Sequence, residues 1–177
     1  MAEAFSNSVS RAVGIVTSNA AGVVGVTTTI ITGISTVDVS VNDLVDNQHF
    51  IQGTQVSAIG AGQVTVNRTS TNTASASSQS VKILGMTTSY SSVAKSILIG
   101  GTFANNTTSQ VNLWVAMYDN SVTTQVGIAQ KIPVPSGSSF VIADTGKTLL
   151  EASEEIIVFS DTANAIDVSL SILTGVN

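Results

Sequence analysis

The chain has 177 residues, a net charge of −5 and no cysteine, and only 10 % of its residues are charged. The missing cysteines exclude disulfides, iron–sulfur clusters and cysteine-ligated zinc. Six scattered basic residues argue against nucleic-acid binding, because phosphate contacts need Lys and Arg. Ser and Thr, 47 residues together, replace the charges. The surface therefore keeps its solubility through hydroxyl groups, or is partly hidden in an assembly.

The N-terminal sequence MAEAFSNSVSRAVG has neither a basic nor an apolar segment, so we expect no signal peptide. No run of about 18 apolar residues occurs, and no membrane span is expected. We interpret residues 1–11 as an unstructured N-terminal arm that grips a neighbouring molecule.

Short runs rich in Val, Ile and Thr, bounded by Gly, Asn, Asp or Ser, recur along the chain and are typical of β-strands. They predict strands at 12–17, 28–33, 55–59, 63–67, 80–85, 94–103, 111–118, 124–132, 139–143, 155–160 and 165–173. No long helical pattern occurs, and the best helix candidate, 148–155, is short. The chain is therefore predicted to be all-β, with no substantial helix and an antiparallel, jelly-roll-like sandwich.

Two of these strands have a clear period of two. In 165–173 the residues Asp167, Ser169 and Ser171 share one face, and the opposite face is apolar, which predicts a half-buried antiparallel strand: Ile166, Val168, Leu170 and Ile172. In 111–118 one face is apolar and the other carries Trp114 and Tyr118. These two aromatics are a partner-contact patch if exposed, and ordinary core if covered.

A polar run at 69–80 contains no large apolar residue and is interpreted as a flexible linker. It predicts a small β module at 12–78, following the arm at 1–11, and an antiparallel β-sandwich at 79–177. Alternatively, the first strand belongs to the sandwich and residues 34–78 are an insertion.

The Gly146-Lys147-Thr148 sequence resembles the end of a phosphate-binding loop. That loop needs a further glycine upstream, a preceding buried strand and a following helix. The upstream glycine is missing, Asp144 places a carboxylate where phosphate would lie, and no βαβ pattern surrounds it. We favour a β-turn between strands at 144–146.

Other polar groups suggest chemistry only weakly. His49 is the one histidine, and we interpret it as a polar loop residue. The acidic patch of Asp38, Asp43 and Asp46 lacks the spacing of a calcium loop, which favours turn capping. Glu151, Glu154 and Glu155 are interpreted as a solvated rim, with a glycosidase-like pair as the alternative. We expect no catalytic residue, no cofactor and no metal ion.

Three stretches, 96–118, 131–142 and 147–160, share a pattern of turns and strands that includes Ile132-Pro-Val-Pro-Ser-Gly-Ser-Ser139 and Lys147-Thr-Leu-Leu-Glu151. This pattern resembles β-sandwich virion structural proteins of tailed bacteriophages, particularly marine cyanobacterial phages. The stretches at 31–35, 44–45, 53–56 and 64–66 resemble another short module of phage structural proteins.

The resemblance implies a non-enzymatic protein on the outside of the virion, assembled in the host cytoplasm and most consistent with capsid decoration or cement. Its implied partners are the major capsid protein or neck and tail components, in a homo-oligomer, without nucleic acid or membrane. Alternatives are a neck, tail or fibre-associated protein and, from another class, a bacterial adhesin or carbohydrate-binding module. Pro133 and Pro135 block strand pairing and predict an exposed sheet edge that contacts a partner.

Overall fold

A computed structural model gives the structure of residues 3–142 and 147–176, with the backbone alone described at positions 19 and 20. The described residues form β-strands and no helix, which confirms the all-β prediction. The strands are β1 (Ala4–Val13), β2 (Ile15–Val24), β3 (Ile30–Thr32), β4 (Leu44–Asp46), β5 (Val56–Gly60), β6 (Gln63–Val66), β7 (Ala76–Gly85), β8 (Thr87–Ser91), β9 (Ser96–Asn105), β10 (Val111–Asp119), β11 (Thr124–Val134), β12 (Ser139–Ile142), β13 (Thr148–Leu150), β14 (Glu154–Ser160) and β15 (Ile166–Thr174).

The chain divides into two compact units, one formed by Met1–Gly14 with Thr87–Asn177 and the other by Ile15–Met86. The second unit is thus inserted into the first. This division differs from the predicted 12–78 module and 79–177 sandwich. It resembles the alternative in which the first strand belongs to the sandwich, with a longer insertion than 34–78.

The first unit is a jelly roll. One sheet has the order β1-β15-β9-β12, with β13 also paired to β9, and the other has the order β11-β10-β14-β8. Four antiparallel pairs build it: β1 with β15, β8 with β14, β9 with β12, and β10 with β11. This pairing is the double-sheet arrangement of eight-stranded jelly rolls. Its core lies between the sheets and includes the predicted apolar faces of β10 and β15.

The prediction of an unstructured N-terminal arm is wrong. Residues 4–13 form β1, which pairs antiparallel with β15 from Ala4 opposite Thr174 to Val13 opposite Ile166. Its side chains alternate between the two faces of the sheet, with Phe5, Asn7 and Val9 on one face. The other face carries mainly Ser, so the segment lacks the apolar alternation by which a strand is recognised in sequence. The strand forms because β15 supplies its hydrogen-bonding partner from more than 150 positions along the chain.

The second unit is one six-stranded sheet of order β4-β7-β2-β3-β6-β5, with its own apolar core. The sheet curls until its two edges meet, where Leu44 forms a bridge to Gln55. Val45 N donates to Thr54 O at 2.8 Å and Val56 N donates to Asp43 O at 2.9 Å. The edge strands therefore satisfy part of each other's backbone, as in a small closed barrel.

The polar run at 69–80 is not a flexible linker. Ser70 is buried, and its hydroxyl donates to Gly25 O and accepts from Thr28 N, both at 3.0 Å. Asn72 Nδ2 donates to Val24 O at 3.2 Å. Residues 76–80 begin β7, which pairs with both β2 and β4. The hydroxyl and amide groups are thus used to hold a turn inside the second unit.

Candidate functional site

The acidic patch at 38–46 serves the fold of the second unit. Asp43 is only 3 % exposed, and its carboxylate accepts a hydrogen bond from Ser40 N at 2.8 Å. Burial raises the pKa of Asp43, while hydrogen bonds from Ser40, Met86 and Thr17 oppose that rise. Among the residues that the structure describes, no group of three His, Cys, Asp or Glu side chains could hold a metal ion. Asp43 is therefore a turn-capping carboxylate.

His49 is a half-buried loop residue in the second unit, as its interpretation from sequence proposed. Its Nε2 atom lies 3.1 Å from Oε1 of Gln79, which also accepts from Nε2 of Gln48 at 2.7 Å. The backbone of His49 is held as well, because its carbonyl accepts from Thr71 N at 2.7 Å. The groups that contact the ring are side-chain amides of glutamine, which orient the ring and are not nucleophiles that a histidine base could activate.

The three glutamates after β13 have separate contacts at the rim of the first unit. Glu151 forms an ion pair with Lys95 at 3.3 Å, and both side chains are substantially exposed. Glu154 Oε2 accepts from Glu151 N at 2.8 Å, and Glu155 Oε2 accepts from Thr88 Oγ1 at 3.0 Å. Each carboxylate therefore supports a local turn or strand, in line with a solvated rim.

The Gly146-Lys147-Thr148 sequence lacks the helix that a phosphate-binding loop needs. Thr148 begins strand β13, and Lys147 is exposed. A strand in this position cannot present a helix N-terminus to phosphate. The predicted β-turn at 144–146 lies outside the described residues. The helix candidate at 148–155 is wrong, since a strand and a turn occupy most of it.

Trp114 and Tyr118 do not form an exposed patch. They are 1 % and 7 % exposed, on the face of β10 that points away from the core between the sheets. Lys131 Nζ lies 6.0 Å from the centroid of the Trp114 ring, within the range of a cation–π contact. The sequence left open whether these aromatics are exposed as a contact patch or covered as ordinary core. Both rings are covered, so neither offers a surface to a partner.

Pro133 and Pro135 lie at a sheet edge. β11 is the outermost strand of its sheet, Pro133 is exposed opposite Asn112, and Pro135 directly follows the strand. Proline has no N–H to offer an additional strand, so this edge is protected against pairing. Whether the two prolines touch a partner stays a prediction.

A line of apolar side chains lies on the outer face of the five-stranded sheet of the first unit. Phe5 stands opposite Leu173, Leu173 opposite Ile97, and Ile97 opposite Leu149. These four side chains form a continuous cross-strand line, which we call the apolar row. Phe5 is 80 % exposed and Leu149 is 46 % exposed, while the middle two are half-buried. An exposed line of this kind indicates a contact surface.

A second, parallel line crosses the same face nearby. Val9 stands opposite Ser169, Ser169 opposite Thr102, and Thr102 opposite Val141. All four are exposed, and none is charged. The two lines therefore offer apolar and hydroxyl groups to a partner, with no charge of their own to be desolvated.

Three loops meet at one end of the jelly roll. Ser153 N donates to Ser92 O, and Asn120 Nδ2 donates to Ser153 O, both at 2.7 Å. The loops are thus tied together, and they expose Val93 and Val122 at their tips. The apolar row was not predicted from the sequence, because residues 1–11 were expected to form an arm outside the sheet. The meeting of the three loops was not predicted either, since it depends on contacts between residues distant in the chain.

The described residues define an all-β protein whose first unit is a jelly roll and whose second unit, inserted in its sequence, is a curled six-stranded sheet. Comparisons with protein-family models, with curated proteins and with solved structures found no match for this chain. The described part of the chain contains no helix with the length and apolarity that a membrane span requires.

Proposed function

We propose that the protein is a non-enzymatic structural component of a tailed-phage particle that binds the outside of the capsid as a decoration or cement protein. The observation that carries this proposal is a jelly-roll unit whose outer face exposes the apolar row beside a second line of uncharged residues. Jelly rolls recur in viral capsid and lectin domains. This analogy of fold and the resemblance of the sequence to virion proteins both support the proposal.

The binding mode follows from the chemistry of that face. The apolar row and the neighbouring hydroxyl groups lie against the major capsid protein, and complete burial of a side chain such as Phe5 contributes about 1.5–3 kcal/mol. Because charged residues are only 10 % of the chain, we expect the bound protein to remain on particles at roughly 1 M salt, where surface ion pairs are screened.

The test is the number of copies in purified particles, measured by quantitative mass spectrometry. Decoration predicts copies on the order of hundreds, whereas a neck or tail position predicts roughly six to eighteen, set by closed rotational symmetry. Absence from purified particles would refute every particle role.

The surface is tested separately by adding purified protein to particles that lack it. Leu149→Lys places a charge within the apolar row, so we expect binding to weaken at least about tenfold. Val126→Lys is the matched control, since Val126 is also exposed but lies on β11 in the other sheet. Equal binding by both variants would contradict the proposed surface.

A carbohydrate-binding module or bacterial adhesin is the second candidate, favoured by the recurrence of jelly rolls among lectins. A glycan array distinguishes the two. Specific glycan binding that is lost on substitution of surface residues, in a protein absent from particles, would replace the capsid proposal with this one.

A further inference from the structure

The edge strands of the sheets differ in how well they are protected against pairing with a strand from another chain. β11 carries Pro133 and has register shifts against β10. β12 and β13 are only four and three residues long, and β8 has five residues with a register shift against β14. In the second unit, the edge strands β4 and β5 meet each other. Short length, proline and irregular register are the usual features that prevent an edge from recruiting another strand.

β1 has none of these protections over most of its length. It is ten residues long, and among the described strands it pairs with β15 alone. From Ala4 to Ser10 the register is regular and the sequence contains no charge and no proline; the irregularity begins after Ser10. Phe5 and Val9, 80 % and 72 % exposed, stand on its outer face. This edge therefore presents unpaired backbone groups beside two uncovered apolar side chains.

The sequence of β1 is complementary to itself in one antiparallel register. When two copies pair about a two-fold axis at Asn7, Phe5 lies opposite Val9 of the other copy. The same register places Glu3 opposite Arg11, and both residues are exposed. Each apolar side chain thus lies opposite an apolar one and each charge lies opposite the other sign. Because of the two-fold symmetry, each of these pairs forms twice in the dimer.

The neighbouring registers lack this match. An axis at Ser8 sets Phe5 against Arg11 and Glu3 against the position of buried Val13. An axis at Ser6 sets Glu3 against Val9 and Phe5 against Asn7. Because opposite charges and apolar pairs stabilise a strand pair while mismatches do not, the axis at Asn7 is favoured.

We propose that two copies of this chain form a symmetric dimer by antiparallel pairing of their β1 strands about a two-fold axis at Asn7. The pairing joins the two five-stranded sheets into one continuous sheet and continues the apolar row of one copy onto Val9 of the other. The dimer does not depend on the particle role, so it can be tested on the purified chain alone.

The first test measures mass by sedimentation velocity across a concentration series. The monomer has 18.0 kDa, and the expected species at high concentration has twice that mass. Glu3→Arg alone, or Arg11→Glu alone, turns two attractive pairs into two repulsive ones and should weaken dimerisation about tenfold. The double variant E3R/R11E restores opposite charges in the same register and should recover the wild-type dissociation constant.

The second test reads the register directly. The chain has no cysteine, so Asn7→Cys introduces a single thiol at the two-fold axis, where a short bismaleimide should link two copies. Val141→Cys is the matched control, because Val141 is exposed on β12 at the other side of the same sheet. Circular dichroism on every variant verifies that the fold is retained.

A chain that stays monomeric at all concentrations overturns the proposal. So does a dimer that the single charge reversals leave unchanged, that the double variant fails to restore, or that links through V141C and not through N7C. Rescue by the double reversal is the decisive outcome in favour, since a purely structural role of Glu3 or Arg11 would not produce it.

Discussion

Gly14 offers a quantitative test of the fold, because the chain leaves the jelly roll there to enter the inserted unit. Its φ is +126°, a conformation that non-glycine residues rarely adopt. A Cβ atom at this position would lie 2.5 Å from the carbonyl oxygen of Thr162 and 3.0 Å from Cβ of Ser160. The Gly14 carbonyl also accepts from Asn164 N at 3.0 Å, so the two segments cannot separate without losing a hydrogen bond.

Gly14→Ala is therefore expected to lower the free energy of unfolding by about 2–6 kcal/mol. Backbone strain contributes about 1–3 kcal/mol, and the shift needed to relieve the close contacts costs a similar amount. For a chain of this size, each kcal/mol lowers the melting temperature by about 2–4 °C, so a fall of about 4–24 °C is expected. The single tryptophan, Trp114, is buried in the jelly-roll unit, so its fluorescence during urea unfolding reports on this unit.

Gly137→Ala is the matched control. Gly137 also has positive φ, +67°, but no heavy atom lies within 4 Å of its hypothetical Cβ. Only the conformational cost remains, about 1–2 kcal/mol. If G14A is no more destabilised than G137A, the close packing of the 161–164 loop on Gly14 is refuted.

Three further predictions concern residues singled out by the sequence. Burial raises the pKa of Asp43, so the stability contributed by its protonated form is present below the unfolded value of about 3.9 and is lost as pH rises through the folded value. The stability of Asp43→Asn relative to wild type should therefore increase as pH rises from about 3 to 7. Unfolding is followed by circular dichroism, because residues 15–86 contain neither Trp nor Tyr. A stability difference that does not change with pH would contradict the raised pKa. Trp114→Ala should cost about 3–5 kcal/mol in urea unfolding followed by circular dichroism, and a loss below about 1 kcal/mol would mean that the ring is not part of the packed structure. Lys147→Ala should change stability by less than about 0.5 kcal/mol, with no nucleotide binding by calorimetry in either protein; binding that this variant abolishes would restore the phosphate-loop hypothesis.

Local alternation explains why several elements were predictable. The apolar residues Ile166 to Ile172 of β15 lie in the core as expected, and so do Val111, Leu113 and Val115 of β10. A period of two selects the buried face of a strand without knowledge of its neighbours. The protected edge at Pro133 was equally predictable, since a residue without an N–H group excludes a central position.

The candidate surface was not predictable in the same way. Phe5 belongs to a segment with many Ser residues, and its place in the sheet depends on pairing with Leu173. The burial of Trp114 and Tyr118 was also undecided, because an alternating strand with apolar residues on both faces does not reveal what covers the second face. Both outcomes depend on contacts between residues that are distant in the chain.

The sequence by itself determined that this protein is built from strands, that its polar groups are mainly hydroxyls, and which side chains form the centre of β10 and β15. These properties depend on composition and on a two-residue period, which are local. Tertiary structure alone decided that residues 4–13 complete a jelly-roll sheet, that residues 15–86 form a separate unit, and that Phe5 lies exposed at an unprotected edge. Strand pairing across most of the chain is a long-range choice, governed by which register buries the most apolar surface and satisfies the most backbone groups.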